Sequence, residues 1–236
     1  MTDRQDYSAR DWRSHPPYAF AGYGSTALRA PARPLVPLAH TLSELTGPVY
    51  GHAAVAPLDD DLTRNAAKDG EPLGERIIVT GRVLDDRGRP VPETLVEIWQ
   101  ANAAGRYLHA RDTHLAPLDP NFTGAGRCVT DADGRYTFTT IRPGAYPWRN
   151  HANAWRPPHI HFSLFGPTFV TRLVTQMFFH GDPLLALDPI FNAVPDAAAR
   201  ERLVARFSID VTRPEWALGY EFDIVLRGPA ATPTET

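Results

Sequence analysis

Two histidines with one residue between them, His159-Ile160-His161, are the side chains in this sequence most able to begin a reactive site. On a strand, residues two apart point to the same face. His159 and His161 then project together with Ser163 and Phe165 beyond them, while Ile160, Phe162 and Leu164 turn the other way into a core. Two imidazoles on one strand face can hold one metal ion, and they can equally be a half-exposed polar stripe. Spacing alone leaves both open, because the pattern is short. Trp155-Arg156-Pro157-Pro158 immediately precedes the pair and stiffens its approach, since proline fixes φ and removes a donor. Stiffness is what a preorganised ligand set requires. Arg156 lies beside the histidines in sequence, although a surface charge is the commoner fate of an arginine.

Further donors are needed. A ferrous oxygenase joins a carboxylate to its two histidines, and a zinc hydrolase adds a third histidine or a carboxylate. No acidic residue lies near the HIH stretch in sequence. Tyrosine recurs instead at loop positions: Tyr107 after NAAGR, and Tyr146 after the RPGA turn. Tyrosines at strand ends often only pack, so pattern alone does not select these two. Cys128 is the single cysteine, and a lone thiol forms neither an internal disulfide nor a thiolate zinc site. A metal here must use His, Tyr or carboxylate ligands.

Short strands joined by ordered loops must position these groups. The 236 residues include 23 prolines, in stretches such as HPPY, RAPARP, RPGAYP and RPPH, which argue against long helices. From Arg76, IIVTGRVLD is β-rich and runs into the turn DRGRP. TLVEIWQ then alternates, with Leu95, Glu97 and Trp99 opposing Val96, Ile98 and Gln100. TDADG signals a turn before the alternating RYTFTTI. HIHFSLF, RLVTQMFF, RFSIDV and YEFDIVL complete a set that predicts an all-β fold with a β-sandwich core. One helix is expected in DAAARERLVARF with Asp196 as N-cap, and a short one around Leu38 to Leu45.

Residues 1–70 lack sustained periodicity but hold Trp12, Tyr18, Phe20 and Tyr23, more aromatics than a disordered tail carries. They are expected to form an irregular arm packed on the domain or on a partner. The catalytic domain is expected over 71–228, and 229–236 as a frayed C-terminal tail. A hydrophobic fraction of 43% fits a globular protein. A net charge of -3 without a dense Lys/Arg run gives no footprint for nucleic acid or an anionic membrane. The polar start MTDRQDYSARDWRSHPPY and the absence of a bilayer-length apolar stretch predict a cytoplasmic protein.

GERIIVTGRVLDDRGRPVPETLVEIWQANAAGRY, LAPLDPNFTGAGRCVTDADGRYTFTTIRPGAYPWRN, WRPPHIHFSLFG, RLVTQMFFHGDPL and GYEFDIVLRG resemble the intradiol ring-cleavage dioxygenases, as does GYGSTALRAP in the arm. These stretches cover most of residues 74–228. The resemblance implies a non-haem Fe(III) held by Tyr107 in AGRY, Tyr146 in PGAYPW, and His159 and His161 in PPHIH. It assigns Tyr107 as the equatorial tyrosine and Tyr146 as the one that substrate displaces. Arg156 and Gln176 carry over to catalysis beside Tyr146, and Tyr23, Trp99, Trp148 and Ile190 to substrate binding. His180, in FFHGDP, departs from an acidic residue in close relatives, at the expected pocket rim.

The implied reaction binds protocatechuate through both hydroxyl oxygens and cleaves it with O2 between the two hydroxyl-bearing carbons, giving a carboxymuconate. Arg156 would stabilise developing negative charge, and Arg156→Ser is expected to spare iron while slowing turnover. A phenol with pKa near 10 must fall by over three units, roughly 4 kcal/mol or more, to ligate as an anion at neutral pH. A bonded ferric ion supplies this, as metals do for bound water and thiols. Two phenolates and a hydroxide cancel its charge and lower the cost of burial. The resemblance also implies an α chain of similar fold, without iron ligands, in an α–β hetero-oligomer.

Two rival readings stand beside this one. GRVLDDRGRPVPETLVEIW with TDADGRYTFTTI also resembles transthyretin-like (prealbumin-like) accessory modules that bind rather than catalyse; the ligand quartet separates the two. A zinc or copper enzyme built on His159, His161 and carboxylates is the other. Within the family, the arm and the lack of a long N-terminal helical segment weigh against a catechol or hydroxyquinol dioxygenase.

Overall fold

The computed structural model describes residues 11–34, 36, 51–166 and 172–235. The helix expected around Leu38 to Leu45 lies outside the described residues. Among the described residues the fold is mostly β, with few and short helices. The strands are β1 (Arg76–Leu84), β2 (Leu95–Gln100), β3 (Ala125–Val129), β4 (Arg135–Ile141), β5 (Tyr146–Pro147), β6 (Trp155–Arg156), β7 (His159–Phe165), β8 (Leu173–Phe179), β9 (Val204–Phe207), β10 (Leu218–Glu221) and β11 (Ile224–Val225). The α-helices are α1 (Thr26–Arg29), α2 (Pro189–Ala193) and α3 (Ala197–Glu201). No helix among the described residues is long and apolar enough to cross a membrane.

The strands follow one hydrogen-bonded path, β4-β1-β10-β9-β8-β7-β2-β3, with β11 continuing β10 along β1. β1 runs parallel to β10 and β11, and β8 parallel to β9; the other pairs are antiparallel. The two free ends of the path, β3 and β4, are stitched by a segment from outside it. Asp59 O accepts from Arg127 N at 2.8 Å, Asp60 O from Thr139 N at 2.8 Å, and Leu62 N donates to Thr139 O at 2.9 Å. Unpaired edge groups are thereby satisfied and the sheet nearly closes on itself. Leu62, on the arm side of the expected boundary at residue 70, is fully buried in the main core.

Alternation explains which face is which. Val96 and Ile98 of β2, Ile160, Phe162 and Leu164 of β7, and Met177 and Phe179 of β8 join Val79, Tyr136 and Phe138 from β1 and β4 in one core. Phe138 and Phe162 meet at 5.8 Å between ring centroids, so the two halves of the path face each other. The opposite faces of β7 and β8 carry His159, His161, Gln176 and Phe178. Phe178 packs with Phe191, Val194, Ala199 and Leu203 in a second, smaller cluster under α2 and α3. The histidine face is therefore buried by covering elements rather than by the main core.

The helix expected over DAAARERLVARF is cut short. Asp196 caps it as expected, accepting from Ala198 N at 3.0 Å, but α3 ends at Glu201 and Val204–Phe207 is strand β9. Val204 and Ala205 are paired with Phe178 and Phe179, and that tertiary pairing overrides the local helical pattern. The segment after Gly228 is also packed rather than frayed: Ala231 and Thr232 are buried, and Thr232 N donates to Val225 O at 2.8 Å.

Candidate metal centre

Two loops carry the tyrosines, and one asparagine organises both. Asn102 Oδ1 accepts from Ala104 N at 3.0 Å and Arg106 N at 2.9 Å, while Asn102 O accepts from Gly105 N at 3.0 Å and Gly144 N at 2.9 Å. The 102–107 and 142–146 loops are thus laced backbone to backbone. Gly105 has φ +76, and a Cβ there would collide with Ala145 O and press on Tyr146 Cβ. A Cβ on Gly144 would strike Ala103 O. Only glycine allows this approach, which sets Tyr107 and Tyr146 ring to ring at 5.3 Å, nearly perpendicular. Tyr107 is held further by Asp112 Oδ2, which accepts from its N–H at 2.7 Å. Gly105→Ala is expected to force the loops apart and destabilise the chain by about 1–3 kcal/mol, and to reduce metal loading with it. Thermal melts beside metal analysis check this; an unchanged melting temperature contradicts it.

The remaining groups come from strands. β5 pairs with β6 so that Tyr146 lies opposite Arg156, and β7 follows with His159 and His161 on one face. Pro157 O accepts from His159 Nδ1 at 2.7 Å, so the proton sits on Nδ1 and Nε2 keeps its lone pair. Tyr146 Oη lies 3.4 Å from that Nε2, and Arg156 Nη1 3.0 Å. The two imidazoles stand 4.9 Å apart, and Tyr107 is 6.3 Å from His161 between ring centroids. Two phenols and two imidazoles, from three separate segments of the chain, converge on one spot.

Burial keeps these donors uncharged. Burial pushes the Tyr107 phenol well above its ordinary pKa, and the neighbouring Tyr146 adds to this. Burial also raises Tyr146, against the opposing pull of Arg156. His159 is held well below the usual histidine range, first by burial and then by Arg156 and His161. All three are neutral donors until a cation arrives. Tyr107 Oη is buried without a hydrogen bond of ordinary geometry, an uncommon state for a buried hydroxyl. An oxygen in want of a partner, beside lone-pair nitrogens, fits a hard ion with mixed O/N ligation. A cation on His159 Nε2 and the Arg156 N–H now on it are alternatives. Among the described residues no cluster of three or more His, Cys, Asp and Glu offers a carboxylate-rich site instead.

Residues 45–228 match the family model described as dioxygenase, and residues 8–41 match the model for the N-terminal part of the protocatechuate 3,4-dioxygenase beta subunit. The chain belongs to the intradiol dioxygenase family. It is 66% identical to a protocatechuate 3,4-dioxygenase beta chain from Burkholderia cepacia, over 96% of each chain. It is 32% identical to an alpha chain of that enzyme from Pseudomonas putida, over 84% of this chain and 97% of the other. Among solved structures, the catechol 1,2-dioxygenase of Pseudomonas arvilla C-1 is similar at TM-score 0.52 and 26% identity, covering 79% of this chain and 63% of that one.

In this intradiol dioxygenase, Arg156 is far from a surface charge. It is 2% exposed, and donates from Nε to Asp188 Oδ1 at 2.9 Å, from Nη2 to Asp188 Oδ2 at 3.0 Å, and from Nη2 to Gln176 Oε1 at 2.7 Å. Burial opposes its charge, but the Asp188 carboxylate and Tyr146 more than offset this and keep it protonated. Gln176, a strand residue of a type usually turned to solvent, is buried opposite His161 in β8. Trp99 lies opposite His161 in β2 and stacks flat on its ring at 4.7 Å, so it flanks the histidine rather than filling the core. Tyr23 meets Trp148 edge-on at 4.9 Å, and Trp148 in turn faces the Arg156 guanidinium at 5.4 Å. That chain of contacts ties the arm to the centre. Ile190 is buried in α2, two residues beyond Asp188.

His180 is exposed just after β8. It lines a cleft of about 720 Å³ with Arg142, Tyr220 and Glu221, which none of the four converging donors lines. Two residues with clear positional roles carried no strong sequence signal: Asn102 and Asp188. Asp188 alone had a local cue, an Asp-Pro step opening a helix.

Proposed function

We propose that this chain is the iron-bearing subunit of a protocatechuate 3,4-dioxygenase, holding non-haem Fe(III) through Tyr107, Tyr146, His159 and His161. The carrying observation is the convergence of two phenols and two imidazoles on one spot, with Tyr107 Oη buried there and lacking a well-formed hydrogen bond. The 66% identity to a beta chain supports the substrate. The similarity to alpha chains as well supports an α–β assembly in which an α chain helps complete the pocket. The two facing halves of the strand path fit a transthyretin-like sandwich. A cytoplasmic location fits the buried lone thiol of Cys128.

When bound, ferric iron supplies the positive charge that turns buried phenols into phenolates and acts as a Lewis acid toward a chelated diol. The chain's own residues do the rest. Tyr146 stands 3.4 Å from Arg156 Nη1. Burial favours its neutral form away from a cation, so it is suited to leave the centre as a phenol carrying a proton from a substrate hydroxyl. His159 keeps its ligating nitrogen because Pro157 O fixes the other. Arg156 holds a permanent positive charge against the reacting ring, preorganised by Asp188 and Gln176, and stabilises negative charge that develops there. Trp99 and Trp148 supply apolar walls, Ile190 closes the pocket beside α2, and Tyr23 reaches the substrate carboxylate from the arm.

The test is turnover of protocatechuate and of catechol by the purified chain, alone and co-expressed with a candidate α chain, with metal analysis. Protocatechuate cleavage that needs iron is the expected result; cleavage of catechol alone, or none with iron loaded and the partner present, contradicts it. Tyr146→Phe is expected to remove part of the tyrosinate-to-iron visible absorption and to slow turnover. An unchanged spectrum in that variant counts against Tyr146 as a ligand.

A further inference from the structure

His161 makes a contact that its strand neighbours do not explain. Its Nδ1 lies 3.1 Å from Glu235 Oε2, a carboxylate 74 residues away in sequence. A carboxylate only accepts, so the ring proton sits on Nδ1 and Nε2 is left as the lone-pair nitrogen. Trp99, stacked flat on the same ring, fixes its plane. Tautomer and orientation are thus set by two groups outside the donor quartet.

The segment that brings Glu235 there is tied along its length. Arg202 Nε donates to Ala231 O at 2.9 Å, Val225 N to Thr232 Oγ1 at 3.0 Å, and Thr175 Oγ1 to Pro233 O at 2.7 Å. Thr234 N donates to His15 Nδ1 at 3.1 Å, which joins the segment to the arm. Glu235 N then donates to Val174 O at 2.8 Å, two residues before Gln176, the partner of His161 in β8. These bonds set the backbone of Glu235 in register with the strand pair that carries His161.

We infer that Glu235 is a positioning residue for the metal centre: residues 231–235 form a strap whose purpose is to hold a carboxylate on His161 Nδ1. Carboxylate–histidine pairs of this kind orient the ring and raise its basicity toward a metal, and their loss typically costs about 10–100-fold in metal affinity or activity. The inference rests on the proposed iron site, and its test separates the two.

The experiment is a competition of the iron-loaded full chain against a ferric chelator, run on wild type, Glu235→Ala and Glu235→Gln, with melting of the metal-free forms alongside. Glu235→Ala is expected to weaken iron retention about 10–100-fold, and Glu235→Gln, which keeps an acceptor oxygen but not the charge, to fall clearly between that variant and wild type. Glu235→Ala that melts lower but retains iron as wild type does would make the strap purely structural and overturn the inference. Equal loss in both variants would overturn the orienting hydrogen bond. A wild-type chain that takes up no iron would overturn the iron site itself, and the inference with it.

Discussion

Asp188→Ala is expected to cost the chain roughly 3–5 kcal/mol, the largest stability loss of any single change at this site. Asp188 is fully buried and its two oxygens accept from Arg156 Nε and Nη2. Removing it leaves a guanidinium that cannot lose its proton buried without its counter-charge, a far greater penalty than the net worth of the pair. The same carboxylate caps α2, accepting from Phe191 N at 3.1 Å, and a lost cap adds about 1 kcal/mol. Asp188→Asn keeps most of the cap but not the charge, and should fall between. Urea denaturation of the metal-free chain measures both, and a loss below about 1 kcal/mol in the alanine variant would show that Arg156 finds another partner. The pair also revises the expectation for Arg156→Ser. That change strands Asp188 in turn, so a fall in stability accompanies any fall in turnover, and a turnover defect must be read at a temperature where the variant is folded.

His159→Ala is expected to have the largest effect on metal and activity, exceeding the 100-fold or so that loss of an outer partner produces. The ring is buried, its tautomer is fixed by Pro157 O, and its free nitrogen is nearest to both Tyr146 and Arg156. Alanine removes the donor and leaves Arg156 Nη1 facing a void. Iron content by metal analysis and protocatechuate turnover should collapse together. Iron retained at wild-type occupancy would mean that His159 only packs against Phe178, 5.7 Å away.

The strands were legible because alternation marks them: TLVEIWQ, RYTFTTI and HIHFSLF read directly as β2, β4 and β7. HxH on a strand placed both histidines on one face, and the RPPH stiffness is visible in Pro157 O gripping His159. The tyrosines were not legible from pattern; their positions depend on two glycine loops meeting through Asn102, a contact between segments some forty residues apart. Arg156 was open to a surface reading because its partner, Asp188, sits 32 residues on and is brought near only by α2. Glu235 was hidden for the same reason, within a polar stretch of small residues that looked unable to hold a structure. The helix over DAAARERLVARF failed at its second half because pairing with β8 outweighed local propensity. In each case local pattern gave the element, and long-range charge or backbone pairing decided the rest.

Tyr107, Tyr146, His159 and His161 are proposed to share one ferric ion. The resonance Raman spectrum of the iron-loaded full chain, excited in its visible band, tests this most directly. Two sets of tyrosinate vibrations are expected, one lost in Tyr107→Phe and the other in Tyr146→Phe. Bound iron that enhances no phenolate vibration, or enhancement that survives both substitutions, would contradict it.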